Sequence, residues 1–347
     1  MNKPVSWNIP AWGTEEALRK EEHVARFLER EYRSLVDNPV SVDELSFCPS
    51  AGELSEQTSD LMDTHYDEKM EFFKSFLDTH YRAYTMAYYG ETAEAVRNTR
   101  ISLEEAQGRK FQLICERIGI KGDERILNIG CGFGSFEQYL FENYSDIEVV
   151  GVTPSIVQMN FLKECMNNPR HLFYGRRFAV IHKDLESLND RDIQPGSFDV
   201  VTSIGLVCAI KNLEQLHDKV SRYLRSNGKA FHHLITSRPV IPQFLDPSQS
   251  LIGDYFPGGR IWPFNELPRH AKTLELINSW FINGMNYWAT LDDWHRRFWA
   301  NIDCLHNHLP AKRIQFWNDY FILCKACFLP GNGAWFGNGH YLFRKPE

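Results

Sequence analysis

The chain has 347 residues, a formal net charge of −7 and 43% hydrophobic residues, enough for one large domain or two modest ones. The acidic balance and the lack of a basic run argue against nucleic acid as a main partner. No apolar run approaches the length of a membrane span, and the first residues include no apolar leader segment. We therefore expect a cytoplasmic protein without an integral membrane segment.

The aromatic and cysteine content gives two further indications. Many of the 24 Phe, 14 Tyr and 9 Trp follow residue 255, where they form either ordinary core or the lining of an apolar pocket. The eight cysteines are scattered. Cys324 and Cys327 form a C-x-x-C pair inside an apolar helical run with no second pair nearby, so we predict neither a zinc site nor any other metal site.

The first predicted element is an amphipathic helix over residues 14–36, capped by Thr14. A connector rich in Pro, Gly, Ser and Thr follows over residues 37–62. This division predicts an N-terminal helical extension, 1–62, and one larger domain, 63–347. The extension is suited to act as a dimer arm or a lid, so a homodimer remains an open expectation.

Strands and helices alternate from residue 102 onwards. A capping box at Ser102–Glu105 predicts a helix to about residue 118. The following pattern predicts strand 125–129, helix 134–143, strand 147–152, helix 155–166, strand 178–182, strand 198–204, helix 213–226 and strand 229–236. A Pro-, Trp- and Phe-containing stretch over about 237–300 reads as an insertion over the ligand edge, before a helix at 311–328 and a last strand at 340–345. The alternation predicts a doubly wound, Rossmann-like α/β sheet with an aromatic-rich cap.

A glycine-rich loop follows the first strand of this pattern. Gly130, Gly132 and Gly134 let the backbone approach a ligand closely, and the next helix N-terminus favours an anionic group. The G-x-G-x-G spacing is typical of methyltransferases, whereas dinucleotide folds use G-x-G-x-x-G. The second strand ends at Thr153 without the acidic residue that holds an NAD ribose, and Asp184 after the third strand is placed to accept from an adenine amino group. S-adenosylmethionine is thus favoured over a nicotinamide cofactor, although Asp184 also suits a simple cap.

Several segments together resemble the cyclopropane-fatty-acid synthases and mycolic acid cyclopropane synthases, a family of class I S-adenosylmethionine-dependent methyltransferases. They are HYDEKMEFFKSFLD (65–78), ISLEEAQGRKFQLICERIGIKGDERILNIGCGFGS (101–135), GVTPSIVQ (151–158), FDVVTSIG (198–205), FPGG (256–259), TLDDW (290–294) and YFILCKACF (320–328). The resemblance spans roughly residues 63–345 and implies the Rossmann-like methyltransferase fold.

The resemblance also implies cofactor-binding residues. Tyr84 and Thr85 match a Tyr-Ser pair that reaches the methionine moiety, and residues 130–132 (Gly130, Cys131, Gly132) form the cofactor loop. In the same match, Asn128 stands at the position where the family's cofactor loop usually begins with an Asp. Thr153 and Gln158 match contacts to the ribose hydroxyls, and Leu185 and Glu186 fall where the family flanks adenine.

A small site beside the transferred methyl group is implied at His233, Ile235 and Tyr320. In cyclopropane synthases this site holds bicarbonate, which accepts the proton lost during ring closure. The chain departs from the family there, because Cys208 replaces the site's glutamate and Met86 replaces a cysteine. A neutral thiol cannot replace a carboxylate in orienting that anion, and an apolar pocket raises a thiol pKa. Bicarbonate is therefore a weakened expectation.

Methyl transfer from a sulfonium requires an in-line geometry more than acid catalysis. An alkene acceptor leaves a carbocation that loses a proton, whereas an amine needs only one deprotonation before attack. We take His233, Tyr320 and Cys208 as candidate catalytic residues; His233 and Tyr320 also suit plain roles in core packing. Glu266 and His270 are further candidates for a base by location alone.

The sequence therefore predicts a methyltransferase acting on a hydrophobic small molecule at an alkene carbon or an amine nitrogen. A cyclopropane synthase acting on unsaturated fatty acyl chains is the nearest alternative. The other alternative is a cofactor-binding cyclase or non-methylating protein, which the changes at Asn128, Met86 and Cys208 favour.

Overall fold

The helix predicted over residues 14–36 is present as α1 (Glu15–Asp37) in the computed structural model, which describes residues 9–38, 52–55, 66, 68–239, 255 and 259–347. Thr14 caps α1, because its hydroxyl oxygen accepts a hydrogen bond from the Ala17 N–H at 3.3 Å. Most of the predicted connector, the beginning of the 65–78 segment and most of FPGG lie outside the described residues.

Among the described residues, α1 is followed before the sheet by α2 (Met70–Phe76), α3 (Ala93–Asn98) and α4 (Leu103–Ile118). The last of these matches the helix predicted from the capping box. The Ser102 hydroxyl accepts from the Glu105 N–H at 3.1 Å, and Gly119 ends the helix with a φ of +76°.

The alternating elements follow closely the order that the sequence predicted. They are β1 (Arg125–Ile129), α5 (Ser135–Asn143), β2 (Glu148–Thr153), α6 (Ile156–Asn167), β3 (Phe178–His182), β4 (Phe198–Ile204), α7 (Leu213–Tyr223) and β5 (Leu224–Ser237). The helix predicted to residue 226 ends earlier because Leu224 already pairs with Phe198 of β4 across a register shift.

The remaining elements are β6 (Trp262–Pro263), α8 (Glu266–Arg269), β7 (Glu275–Asn283), α9 (Met285–Ala300), α10 (Ile302–His306), α11 (Ala311–Cys327) and β8 (Phe336–Arg344). The described strands form a sheet in the order β3-β2-β1-β4-β5-β8-β7, with β6 paired to β5. Strands β1 to β5 are parallel, and β8 is antiparallel to both of its neighbours. This confirms the predicted α/β sheet.

Strand β7 is a feature that the sequence analysis did not predict. The sequence pattern of 237–300 predicts an insertion, whereas Glu275–Asn283 pairs along β8 as the edge strand of the sheet. Its first four residues are exposed, so its hydrophobic pattern is weak and resembles that of a loop. The stretch therefore supplies both a strand of the sheet and the helix α9.

Strand β8 begins four residues before the predicted start at residue 340. The added residues include Gly337 and Gly339, which lie within the strand. A Cβ atom at Gly337 would lie 2.2 Å from the Ile282 carbonyl oxygen, and one at Gly339 would lie 2.4 Å from the Tyr341 ring. These glycines therefore allow close packing inside the sheet.

Helix α1 is held against the body of the protein by a buried ionic contact. The Lys325 ammonium of α11 lies 2.8 Å from the Glu21 carboxylate of α1 and 3.0 Å from the Asp292 carboxylate of α9. The Trp288 indole N–H also donates to Glu21 at 2.6 Å. Because Lys325 and Glu21 are both buried, removal of Lys325 would leave the Glu21 carboxylate without its ionic partner. Among the described helices, none is both long and apolar enough to cross a membrane.

Candidate active site

A first cavity lies at the carboxyl ends of β1, β2 and β4, where open α/β sheets bind ligands. Its lining includes these sequence-predicted cofactor residues: Tyr84, Thr85, Asn128, Gly130, Cys131, Gly132, Thr153 and Gln158. These residues come from three separate regions of the sequence. The fold therefore brings most of the predicted cofactor residues to one place.

The glycines of the β1–α5 loop serve two different purposes. Gly130, Gly132 and Gly134 have φ values of +81°, +59° and +77°, a region that side chains rarely adopt. A Cβ at Gly134 would lie 2.8 Å from Leu162, so this glycine allows packing against α6. A Cβ at Gly132 would meet nothing within 4 Å. Gly132 thus presents bare backbone to the cavity, as close approach to a ligand requires.

The end of β2 is organised by short polar contacts. The Thr153 hydroxyl donates to the Gln158 side-chain oxygen at 2.6 Å, and the Ser155 hydroxyl oxygen accepts from the Gln158 N–H at 3.3 Å. Thr153 and Gln158 are both buried and both line the cavity. The strand therefore ends in neutral hydrogen-bonding groups, consistent with the reading against an NAD ribose site.

Asn128 sits beneath the glycine loop in a buried polar cluster. Its amide nitrogen donates to the Glu137 carboxylate at 2.8 Å, and its oxygen accepts from the Thr202 hydroxyl at 2.9 Å. Burial raises the pKa of Glu137 to about 7, against the lowering effect of the Asn128 hydrogen bond. The second carboxylate oxygen of Glu137 has no hydrogen-bond partner within the described chain. An amide at position 128 thus satisfies one side of a buried carboxyl group.

The structure places the predicted adenine contacts outside the lining of the first cavity. The Asp184 carboxylate accepts from the Ser187 N–H at 2.7 Å, which is the simple cap that the sequence left open. Leu185 is buried in the core, and Glu186 accepts from the Ser55 hydroxyl at 3.1 Å. Their contact with adenine remains a prediction.

A second, largely apolar cavity adjoins the first. The two share Tyr66, Tyr84, Thr85 and Gly205 as lining residues. The rest of the second lining is Leu28, Tyr32, Met86, Cys208, His233, Ile235, Gly259, Arg260, Ile261, Tyr287, Leu291, Tyr320, Cys324, Cys327, Phe328, Phe336 and Asn338. Part of the late aromatic cluster thus forms a pocket wall. No residue in this described lining is acidic.

The three candidate catalytic residues, Cys208, His233 and Tyr320, all line the second cavity. Burial raises the pKa of Cys208 to about 12 and raises that of Tyr320 well above its ordinary value. Burial, with Lys110 and Arg117 nearby, lowers the pKa of His233 well below its ordinary value. All three side chains are therefore uncharged at neutral pH.

Lys110 is a site residue that the sequence analysis missed. Its buried ammonium donates to the Thr85 hydroxyl at 2.8 Å and to the Gln107 side-chain oxygen at 2.6 Å. Burial lowers the pKa of Lys110 to about 7, while Asp78 acts in the opposite direction. A helical lysine three residues after a glutamine carries no special signal, so only the fold identifies it.

Two other candidates take positions away from both cavity linings. Glu266, the first residue of α8, and His270, which follows that helix, lie 2.7 Å apart, and neither lines either cavity. Cys324 and Cys327 do line the second cavity. Within the described part of the chain, no group of His, Cys, Asp or Glu is arranged to hold a metal ion.

The comparison with protein families adds a decisive observation to this geometry. The model of the mycolic acid cyclopropane synthetase family matches residues 54–334. The chain belongs to this family. The match includes both cavities' glycine, threonine and histidine residues, and it leaves the whole of α1 outside.

Two relatives of different activity are similar to this member of the family. The cyclopropane-fatty-acyl-phospholipid synthase of Escherichia coli K12 is 28% identical over 267 residues, covering 76% of this chain and 63% of that protein. The (S)-coclaurine N-methyltransferase of Thalictrum flavum subsp. glaucum is 24% identical over 263 residues, covering 72% and 71%. The chain thus aligns with less than two thirds of the bacterial synthase.

A solved coclaurine N-methyltransferase, bound to N-methylheliamine and S-adenosylhomocysteine, has the same fold. The TM-score is 0.79 at 21% identity, and the match covers 95% of each chain. A structural match at 21% sequence identity establishes that the two proteins share a fold. The fold of this family member is thereby confirmed as that of S-adenosylmethionine-dependent methyltransferases.

Proposed function

We propose that the protein transfers the methyl group of S-adenosylmethionine to a hydrophobic small molecule, at an amine nitrogen or an alkene carbon. The observation that carries this proposal is the junction of the two cavities. Tyr66, Tyr84, Thr85 and Gly205 line both. A methyl donor in the first cavity and an acceptor in the second would therefore meet at these four residues, as in-line displacement requires.

The first cavity offers hydrogen-bonding groups that suit the polar parts of the proposed cofactor. The bare backbone at Gly132 and the α5 N-terminus suit a carboxylate, and Thr153 and Gln158 suit ribose hydroxyls. Bound there, S-adenosylmethionine supplies a sulfonium-activated methyl group. The Lys110 ammonium holds the Thr85 hydroxyl, and through it the Tyr84–Thr85 segment at the junction.

The second cavity fits a hydrophobic acceptor. Tyr66, Tyr84, Tyr287, Tyr320 and Phe328 offer aromatic faces that stabilise a cation on the acceptor. Such a cation is an ammonium after amine methylation or a carbocation after alkene methylation. The aromatic lining therefore suits both acceptor classes.

The protonation states in this cavity favour an amine. An alkene acceptor must lose a proton after methylation, and Cys208, His233 and Tyr320 are all neutral with pKa values displaced away from base function. An amine that enters as the free base attacks without help from these groups. Similarity to the coclaurine N-methyltransferase supports the same choice.

Cyclopropane formation on fatty acyl chains is the second candidate, and similarity to the E. coli synthase favours it. That reaction, as the resemblance implies it, needs an oriented bicarbonate. Cys208 occupies the glutamate position and donates its S–H to the Gly205 carbonyl oxygen at 3.3 Å. A neutral thiol engaged in this way does not replace the carboxylate. Both methyl transfer and cyclopropane formation release S-adenosylhomocysteine, whereas the non-methylating alternative would not.

The first experiment is a calorimetric titration of S-adenosylmethionine and of NADH into the protein. A Gly132→Val variant tests the cavity, and Gly175→Val is the matched control, because Gly175 also has a positive φ, +71°, and open space around its Cβ position. Gly175 does not line either cavity. We expect binding of S-adenosylmethionine alone, lost in Gly132→Val and kept in Gly175→Val.

The second experiment measures S-adenosylhomocysteine formation with panels of hydrophobic amines and alkenes. Turnover with an amine supports the favoured reaction, and turnover with an alkene supports the second acceptor class. Cofactor binding without turnover on either panel would favour the non-methylating alternative. Failure to bind S-adenosylmethionine would overturn the whole proposal.

A further inference from the structure

A chain of hydrogen bonds runs from the surface to the wall of the second cavity. An Arg117 guanidinium nitrogen lies 2.5 Å from Nδ1 of His340, and Nε2 of His340 lies 2.7 Å from Nδ1 of His233. Nε2 of His233 then lies 3.0 Å from the side-chain amide of Asn338. His233, His340 and Asn338 are all buried. The four residues come from α4, β5 and β8.

Arg117 determines which atom donates and which accepts in each hydrogen bond of this network. A guanidinium only donates, and burial lowers the pKa of Arg117 to about 10, so it stays charged at neutral pH. Nδ1 of His340 must therefore accept. Burial keeps both histidines neutral, so His340 carries its proton on Nε2 and donates to Nδ1 of His233. His233 must then carry its own proton on Nε2.

This proton position determines the orientation of the Asn338 amide. Because Nε2 of His233 is a donor, it requires the amide oxygen of Asn338 as its acceptor, and the amide nitrogen takes the other position. The oxygen and nitrogen of an amide have nearly the same shape, so the network decides between them. No hydrogen-bond donor among the described residues reaches the other position, which is therefore open to the amide nitrogen.

We propose that Asn338 is a substrate-recognition residue, whose amide N–H donates to an oxygen atom of the acceptor molecule in the second cavity. This inference rests on the proposed function and narrows its substrate class to acceptors that carry an ether, carbonyl or hydroxyl oxygen. Asn338 lines that cavity together with aromatic and aliphatic side chains and with Arg260. A buried amide N–H without a partner is costly, so an acceptor that satisfies it is preferred over one that does not.

The same network assigns a positioning role to His233. Its Nδ1 lone pair is occupied by His340 and its Nε2 proton by Asn338, so neither nitrogen is available to take a proton from the acceptor. His233 therefore orients Asn338 instead of serving as the general base.

Nitrogen-15 NMR of histidine in the intact protein tests the proton positions directly. We expect Nε2 to be protonated and Nδ1 unprotonated in both His233 and His340, with His233→Gln and His340→Gln variants used for assignment. Protonation of His233 at Nδ1 would make its Nε2 an acceptor for the Asn338 amide nitrogen, and this would overturn the proposal. This measurement does not depend on turnover, so it separates this proposal from the methyltransferase proposal.

Binding of matched probes tests the recognition role. The probes are N,N-dimethylbenzylamine and its ortho-, meta- and para-methoxy analogues, titrated with S-adenosylhomocysteine present. We expect at least one methoxy isomer to bind about tenfold more tightly than the parent amine and to shift the Asn338 amide resonances. That preference should disappear in Asn338→Leu and persist in Asn278→Leu, a matched change at an exposed position of β7.

Three results of this titration would overturn the recognition role. They are equal affinity for the parent and all methoxy isomers, unmoved Asn338 resonances, or an unchanged preference in Asn338→Leu. A titration of S-adenosylmethionine into each variant checks that the fold and the first cavity persist. If Asn338→Leu fails this check, Asn338→Asp replaces it, which keeps an acceptor for His233 and removes the N–H. Loss of the methoxy preference in that variant is then the expected result.

Discussion

The Lys110 ammonium lies 2.8 Å from the hydroxyl of Thr85, a residue that lines both cavities. Lys110 is buried, and its other hydrogen bond goes to Gln107 in the same helix. Residues 110 and 85 come from different segments, so the contact ties the junction of the cavities to helix α4. Burial, partly offset by Asp78, lowers the pKa of this lysine to about 7.

Lys110→Met should flatten the dependence of stability on pH above neutrality. A lysine whose folded pKa lies below its unfolded value adds stability that is lost as pH falls through the folded pKa. The free energy of unfolding should therefore rise from pH 7 towards higher pH, by up to about 3 kcal/mol at about pH 9. Urea unfolding should show this rise in the wild type and in the exposed control Lys121→Met. A rise of equal size in Lys110→Met would contradict the assignment.

Glu137→Gln should change how the free energy of unfolding depends on pH below neutrality. The folded pKa of Glu137 is raised to about 7 by burial, so its contribution is present below its ordinary pKa of 4.5 and is lost as pH rises towards 7. Replacing the carboxyl with an amide should remove this loss, which is on the order of 3 kcal/mol. Unfolding of Glu137→Gln and of the exposed control Glu164→Gln, measured between about pH 5 and 8, checks the prediction. Parallel profiles for the two variants would count against it.

Gly205→Ala should impair methyl transfer by obstructing the junction. Gly205 has a φ of +86°, and a Cβ there would lie 2.7 Å from the Thr85 side chain. Gly196→Ala is the matched control, since Gly196 has a φ of +67° and open space around its Cβ position. Both variants should lose about 1–2 kcal/mol of stability from backbone strain. Only Gly205→Ala should lose tenfold or more of the S-adenosylhomocysteine formation rate, and equal rates would refute the junction's role.

Thiol labelling should separate the cavity cysteines from the exposed Cys304. Burial raises the pKa of Cys208 and of Cys327 to about 12, and that of Cys324 well above its ordinary value, whereas Cys304 is exposed. Iodoacetamide at about pH 8 should modify Cys304 before the cavity thiols, which should react only slowly because the thiolate is the reactive form. Peptide mass spectrometry follows the order. Labelling of Cys208 as fast as Cys304 would show a thiolate there and would reopen the anion-binding function.

The sequence by itself determined the features encoded by neighbouring residues. The cap at Ser102, the glycine loop after β1 and the alternation of apolar runs depend on local conformation, so most predicted elements match within a few residues. The position of the first cavity followed from this alternation, because the carboxyl ends of the parallel strands that it predicts meet at one edge of the sheet.

Only the tertiary structure decided the contacts between distant segments. β7 joins the sheet through its pairing with β8, and the strand glycines Gly337 and Gly339 have meaning only beside their packed neighbours. His233 meets Asn338 across 105 positions because β5 and β8 pair antiparallel. Such contacts depend on strand register and packing between distant segments, which no local pattern specifies. The orienting role that we propose for His233 depends on this contact, whereas the sequence alone offered His233 only as a candidate base.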